Sequence, residues 1–599
     1  MLFTTLDWLA IGGYIVFALC VGFVLTRRAS RSTQDFYLAG RSLPWWVAGT
    51  SLVATSFAAD TPLVVSGWVR SGGISQNWLW WGMAVGGALS FTCMAAWWRR
   101  LEVTTDAECI ERRYDGRAAR VLRGFYGGYH ALVTNTVVLA WVLLAMLKLV
   151  RVVVGAEDDR FDQTIVAVAL VLALSYSFLS GLWGVVVTDL FQFFLALGGA
   201  ILLAYEAIQD LGGFDAAREA FAALPRETTA LIPDKGSGWE DLAWWSQGVG
   251  AFLIFTAVQG WLNKNADGGG AGVQRYSACR DEAHARGAAL WFNLAHYCLR
   301  PWPWILVGLA SLLLLDASQL PMMEAADGSL VPDHEAAYPL MMATYLGPGL
   351  FGLMCASFLA AFMSTLDTHF NLASAYIVND VYRRFLHPKA SDRHYLWVGR
   401  GMEALIGVLA ALLALAADSI SNLFTFSLSL LGGVGPALLM RWFWWRTNAW
   451  TEVAALSTST ILAILFNTTT FGAARPVLDV PYPLSYLMIV GVSLGVSLVV
   501  TFLAAPAATE RLQAFYAQVR PAGWWGPLDR DGAAKRSLVP LGLCWAGGIA
   551  LIYGLLFGVG SWLLARPAWP AFACAVGGML VVKLTWRPAL RAPDDTIQT

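Results

Sequence analysis

Apolar residues run through this chain in blocks of roughly 17–30, each long enough to cross a bilayer core as a helix. Fifteen blocks lie near 6–26, 44–70, 76–98, 119–151, 162–182, 184–206, 246–279, 283–315, 346–382, 397–417, 420–446, 449–467, 482–504, 537–563 and 567–586. The pattern predicts an all-α polytopic membrane protein. The longest connections, 207–245 and 505–536, are too short to bury a core of their own, so no soluble catalytic or sensor domain is expected. The first block has no basic residue before it, and Arg27 and Arg28 follow it. It reads as a membrane helix that starts outside, without a signal-peptide cleavage site.

Polar residues interrupt two blocks near their middle. In the second, Ala54-Thr-Ser-Phe-Ala-Ala-Asp-Thr-Pro62 places a carboxylate and a proline halfway. Pro62 lacks an N–H and disfavours helix at Thr61, which should free carbonyls around Ala54–Ala58. In the seventh, Asn263-Lys-Asn-Ala-Asp-Gly-Gly-Gly270 is a poor helix. Irregular backbone at membrane depth belongs where it is buried or lines a wet cavity. The two interruptions are five blocks apart, so each opens a set of five helices. Matched breaks in two halves point to a transporter's binding site.

The ninth block carries a polar stripe instead of a break. Ser357, Ala361, Ser364, Thr365, Thr368 and Asn371 share one face at helical spacing. Such a stripe suits close helix packing, and its oxygens equally suit a hard monovalent cation.

Composition agrees with the pattern: 57% of 599 residues are hydrophobic, 14% charged, and mean hydropathy is +0.56. Soluble domains carry about 25% charged residues. A net charge of −1 with no basic tail gives no sign of a nucleic-acid partner, and nothing suggests an obligatory protein partner. The 8 cysteines form no CxxC pair and read as small packing residues. Basic residues cluster in alternate loops: Arg27, Arg28 and Arg31; Arg99 to Arg123; Arg275, Arg280 and Arg286; Arg383 to Arg393; Arg511 to Arg536; Arg587 and Arg591. Opposite loops are acidic or nearly free of Lys and Arg, with 207–245 the weakest case because Arg218, Arg226 and Lys235 lie there. The positive-inside bias therefore places the amino terminus outside and the carboxyl terminus in the cytoplasm. A bacterial plasma membrane is the expected location.

Several segments together resemble one family. Asp35-Phe-Tyr-Leu-Ala-Gly-Arg-Ser-Leu-Pro-Trp-Trp46 with Gly49-Thr-Ser-Leu-Val-Ala54 resembles the approach to the first core helix of the sodium/solute symporter family. Thr105-Asp-Ala-Glu-Cys-Ile-Glu-Arg-Arg-Tyr114, Ser175–Gly181 with Val187-Thr-Asp-Leu-Phe-Gln192, and Gln274-Arg275 are similar to later landmarks. So are Ala361-Phe-Met-Ser-Thr-Leu-Asp-Thr368 with Asn379-Asp-Val-Tyr382, Gly435-Pro436 and Trp442–Arg446. The matches keep their order over roughly 1–450. The resemblance implies a leucine-transporter-type inverted repeat of five plus five helices, with one helix before it and about four after. It divides the chain into 1–43, a first repeat 44–206, an outer loop 207–245, a second repeat 246–446 and accessory helices 447–599.

The resemblance also implies a sodium ion held by the carbonyls of Ala54, Phe57 and Ala361 and the hydroxyls of Ser364 and Thr365. A second cation, as in some members, would use Asp189, Ser364 and Thr368. Asp367 stands where a hydroxyl is expected, so two carboxylates could share that site and favour a proton as well. The alternative leaves Asp189 solvated near the cytoplasmic end or paired with an arginine. At the solute positions Ser56, Asp60, Thr61 and Gly268-Gly-Gly270 depart from sugar-carrying relatives, so sugar specificity is not implied.

The eighth block adds Asn293, His296 and Arg300 at i, i+3 and i+7. An arginine near the bilayer centre costs at least ~2.5 kcal/mol, so it faces protein or water and needs an anion. It would either clamp an anionic solute or pair with Asp60, Asp267 or Asp367. Candidate solute residues are thus Ser56, Asp60, Thr61, Asp267, Gly269, His296 and Arg300. The expected activity is sodium-coupled symport of a small organic solute of anionic character, with sodium as the coupling ion. Proton coupling on the same fold is the nearest alternative. An enzyme is disfavoured because His296 and His369 sit singly on separate spans without an HxxxD or HExxH pattern, and a sensor because no output domain exists.

Overall fold

The computed structural model describes residues 3–29, 38–56, 58–155, 158–177, 182–233, 245, 248–262, 266–324, 329–467, 478, 480–587 and 589. Among these the chain is helical apart from an antiparallel ribbon of Met322–Glu324 and Leu330–Pro332. Each of the fifteen apolar blocks coincides with a helix or a broken helix pair. Among the described residues eight helices are long and apolar enough to span a membrane alone, and up to 11 qualify if each bent pair is one span.

The first broken span is Trp45–Thr55 followed by Asp60–Gly72. Pro62 falls in the first turn of the second piece, where its missing N–H costs nothing. The first piece packs against Glu282–Asn293, Leu182–Asp210 and the polar-striped helix Leu350–Ala375. The second broken span is Val249–Ile254 with a π turn Phe255–Gln259, then Ala271–Ala278. Gly268 and Gly270 between the pieces have φ of +76° and +68°, which glycine adopts without strain. Just before that break, Gly260 meets the helix pair Ile74–Trp81 and Ala84–Leu101 backbone to backbone. The Gly86 N–H donates to the Gly260 carbonyl at 2.9 Å. A Cβ on Gly260 would lie 2.3 Å from the Gly82 carbonyl oxygen, so any side chain here would force the helices apart.

The connections carry more structure than the sequence suggested. Residues 207–245 include helices Phe214–Ala223 and Arg226–Thr229. Helix Ala337–Tyr345, after the ribbon, packs on Asp60–Gly72. A buried ion triad anchors that connection: Lys148 Nζ donates to Asp333 at 2.7 Å and to Glu335 at 2.6 Å. Glu335 also accepts the backbone N–H of Ser421 at 3.1 Å, capping helix Ile420–Gly432.

Three arginines counted as loop charges are structural. Arg275 is buried among polar side chains described below. Arg286 is buried, donates to the Phe91 and Trp586 carbonyls, and stacks 3.7 Å over the Trp586 ring. Arg113 is buried and donates to the Arg441, Trp444 and Trp445 carbonyls.

Candidate functional site

The break after Thr55 frees carbonyls that helix would otherwise consume, and two outside groups take them. The Thr365 hydroxyl donates to the Thr55 carbonyl at 3.3 Å. Arg300 donates through Nη1 to the Val53 carbonyl at 2.6 Å and through Nη2 to the Ser56 carbonyl at 3.2 Å. Its guanidinium also lies 5.2 Å from the Trp304 ring centroid. The guanidinium caps backbone, and of the three expected carboxylates Asp60 is near enough to attract it. A π turn at Leu294–Leu299, just before Pro301, aims it there. The same turn breaks the expected common face. His296 meets the Ser56 hydroxyl at 3.2 Å, whereas Asn293 donates to the Gly87 and Ala289 carbonyls.

Of the expected sodium ligands, Thr365 faces the break and Ala361 is buried one helical turn earlier on the same helix. Ala54 is buried at the end of Trp45–Thr55, and Phe57 lies outside the described residues. Ser364 instead donates to Asp189 Oδ1, while Ser51 donates to Oδ2 at 2.5 Å. Asp189 is fully buried, so the solvated alternative is excluded. Its charge is met by Arg275, whose Nη2 lies 3.8 Å away and donates to Thr55 Oγ1 at 3.0 Å and Thr368 Oγ1 at 3.1 Å. The guanidinium thus occupies the oxygens expected of a second cation. Asp367, buried on the same helix, also attracts the Arg275 guanidinium.

A cavity of about 380 Å³ opens beside this junction. Thr55 and Thr365 belong to its wall, as do Ser56, Asp60, Thr61, Gly269 and His296 from the solute candidates. Asp267 and Arg300 do not line it. Asp267 is fully buried, held by Arg441 at 2.5 Å and Trp442 Nε1 at 2.9 Å, and it accepts the Gly269 N–H at 3.1 Å. Its role is to fix the second break, since an unpaired carboxylate there would be costly. No lysine or arginine lines the cavity among the described residues, so the anionic solute loses the residues that suggested it.

This geometry is a broken helix, a hydroxyl-bearing partner helix and a shared cavity, and the comparisons agree with it. Residues 36–458 match the sodium:solute symporter family. The chain belongs to that family. It is 27% identical to the sodium/mannose cotransporter SLC5A10 of Bos taurus over 74% of this chain and 76% of the relative. It is 24% identical to the sodium/glucose cotransporter of Vibrio parahaemolyticus over 74% and 82%, respectively. It is 27% identical to the sodium/myo-inositol cotransporter 2 of Rattus norvegicus over 78% and 69%. The fold is that of a Na+-coupled sialic acid symporter solved in a substrate-bound outward-open state: TM-score 0.67, 19% identity, 84% of this chain and 99% of that one. The chain is therefore an integral membrane symporter with a leucine-transporter-type fold, sodium is its coupling ion, and it is not an enzyme.

Sequence reasoning missed several residues that hold this symporter's site together. Asp106 lines the cavity and accepts from Tyr376 at 2.5 Å, Tyr126 at 3.2 Å and the Gly270 N–H at 2.9 Å. It stood in view inside the Thr105–Tyr114 segment. Lys148 could have been found as a lone charge in the apolar run 139–150. Nothing local marks Arg441 as the partner of Asp267.

Proposed function

We propose that this symporter carries a small organic solute through the cavity by alternating access, with one sodium held at the Thr55–Thr365 junction. The carbonyls of Ala54, Phe57 and Ala361 and the hydroxyls of Ser364 and Thr365 are the proposed ligands. One observation carries the reading: Thr55 and Thr365 bridge the break and also form part of the cavity wall. An ion drawing those oxygens inward would set the shape of the solute site, which is a physical route to coupling. The second cation of Asp189, Asp367 and Thr368 is not part of the proposal, because Arg275 already balances Asp189 there.

The solutes named for the relatives, mannose, glucose and myo-inositol, are not carried over, since Ser56, Asp60, Thr61 and Gly268–Gly270 set this cavity apart. The two repeats are placed at 44–206 and 246–446, with 1–43, 207–245 and 447–599 outside the core. The amino terminus is placed outside a bacterial plasma membrane and the carboxyl terminus inside. Cysteine accessibility should then put 99–118, 383–396 and 505–536 in the cytoplasm and 317–345 outside. The deciding experiment is solute uptake into proteoliposomes under an inward sodium gradient. Uptake that a proton gradient drives equally well in sodium-free buffer would refute sodium coupling at this junction.

A further inference from the structure

Most polar side chains in the cavity wall are already committed to the protein. Asp106 takes two tyrosine hydroxyls and a backbone N–H. Asn135 donates to the His130 carbonyl at 2.7 Å and meets His369 Nδ1 at 2.5 Å. Ser56 donates to the Val53 carbonyl at 2.9 Å, and Thr365 to Thr55. Asp60 differs. Among the described residues its carboxylate lines the cavity with hydrogen-bond donors from its own turn, the Thr61 hydroxyl at 3.4 Å and backbone N–H groups, and with Arg300 near enough to attract its charge. The Arg300 guanidinium attracts it from outside the cavity lining, with its Nη1 and Nη2 donors on the Val53 and Ser56 carbonyls.

Above Asp60 the wall becomes aromatic. Val64 and Trp68 follow it at i+4 and i+8 on helix Asp60–Gly72, and all three line the cavity. At ~1.5 Å per residue, Trp68 lies roughly 12 Å along the axis. There its ring is 6.3 Å from that of Phe424, which in turn is 5.8 Å from Trp141. A polyol would bring hydroxyls against these faces and leave them unpaired, each at a desolvation penalty. An anion would meet a carboxylate. A body that is cationic at one end and apolar at the other meets both features.

Resting on the symport reading above, we propose that the solute is a small organic cation, an amine or quaternary ammonium with an apolar body. Its nitrogen pairs with Asp60 and its body packs toward Trp68, Phe424 and Trp141.

The test uses the purified full chain, with thermal unfolding followed in sodium and in potassium. The probes are choline, benzylamine, their neutral isosteres (carbon in place of the choline nitrogen, and benzyl alcohol), myo-inositol, glucose and benzoate. An ammonium probe should raise the melting temperature in sodium only, with its neutral isostere at least tenfold weaker. Asp60→Asn should abolish that shift while the shift produced by sodium alone persists, which shows that the fold and ion site survive. Asp60→Glu should restore part of it. The proposal is overturned if no ammonium probe acts, if a neutral polyol or benzoate gives the sodium-dependent shift, or if Asp60→Asn binds ammonium like the wild type. Those outcomes leave symport standing. Failure of sodium itself to stabilise the protein would instead remove the symport reading.

Discussion

Removing the guanidinium of Arg300 tests the site at its most exposed assumption, that a buried charge is there to hold backbone. In Arg300→Gln the Val53 and Ser56 carbonyls lose donors at 2.6 and 3.2 Å. Hydrogen bonds to charged groups contribute about 1.5–3 kcal/mol each, and the longer one counts for less, so the gross loss is roughly 3–5 kcal/mol. Removing a buried charge returns part of its desolvation cost, leaving a net destabilisation of roughly 2–3 kcal/mol. The protein should still fold, but melt lower and bind sodium more weakly, because the freed carbonyls adjoin Thr55. Arg300→Lys keeps the charge with a single-point donor and should fall between wild type and Arg300→Gln. Adding Asp60→Asn should restore only the part lost with the Arg300–Asp60 attraction, since the hydrogen-bonded partners are carbonyls. Melting curves on full-length protein, with and without sodium, and sodium-driven uptake measure all three effects. Full rescue of Arg300→Gln by Asp60→Asn, or wild-type melting with only solute affinity lost, would refute the capping role.

Other expectations follow from the same contacts. Thr365→Ala removes the hydroxyl on the Thr55 carbonyl and should weaken apparent sodium affinity in uptake assays with little loss of expression. Ser364→Ala withdraws a donor from buried Asp189 and should lower thermal stability as well; unchanged sodium dependence in both single variants and the double variant would move the ion site elsewhere. Lys148→Met strands Asp333 and Glu335 and should cost roughly 3–5 kcal/mol in melting experiments, with partial rescue by Glu335→Gln. At the cluster of Arg123, Arg384 and Glu111, burial opposes the charge on Glu111, but hydrogen bonds from Arg384 and Arg123 outweigh it and hold its carboxyl below the ordinary value of 4.5. A lowered folded-state value means this stabilisation is complete above that pH and is lost as pH falls below it, so hydrogen exchange in 106–113 and 376–386 should accelerate only in that acid range.

The sequence by itself determined the frame of this protein. Hydrophobic blocks set the spans, because an apolar run of this length crosses a bilayer as a helix, whose backbone is satisfied internally. Asp60-Thr61-Pro62 and Gly268–Gly270 marked both breaks, since proline and glycine act locally. The periodicity of Ser357–Asn371 identified the face that carries Thr365 to the first break. What helical spacing gives is a face, whereas the neighbour opposite that face is set by the packing of the whole bundle. Ser364 and Thr365 are adjacent, yet one donates to Asp189 and the other to Thr55. Arg300 could have met a carboxylate, a solute or freed backbone, and each would satisfy a buried guanidinium. A π turn and Pro301 decided for backbone. Asp267 looked open to solute until Arg441, 174 residues away, was placed against it. Arg275 was counted with the loop charges until folding set it beside Thr55, 220 residues distant. Burial makes a charge demand a partner, and only tertiary structure chooses among partners that sequence leaves equivalent.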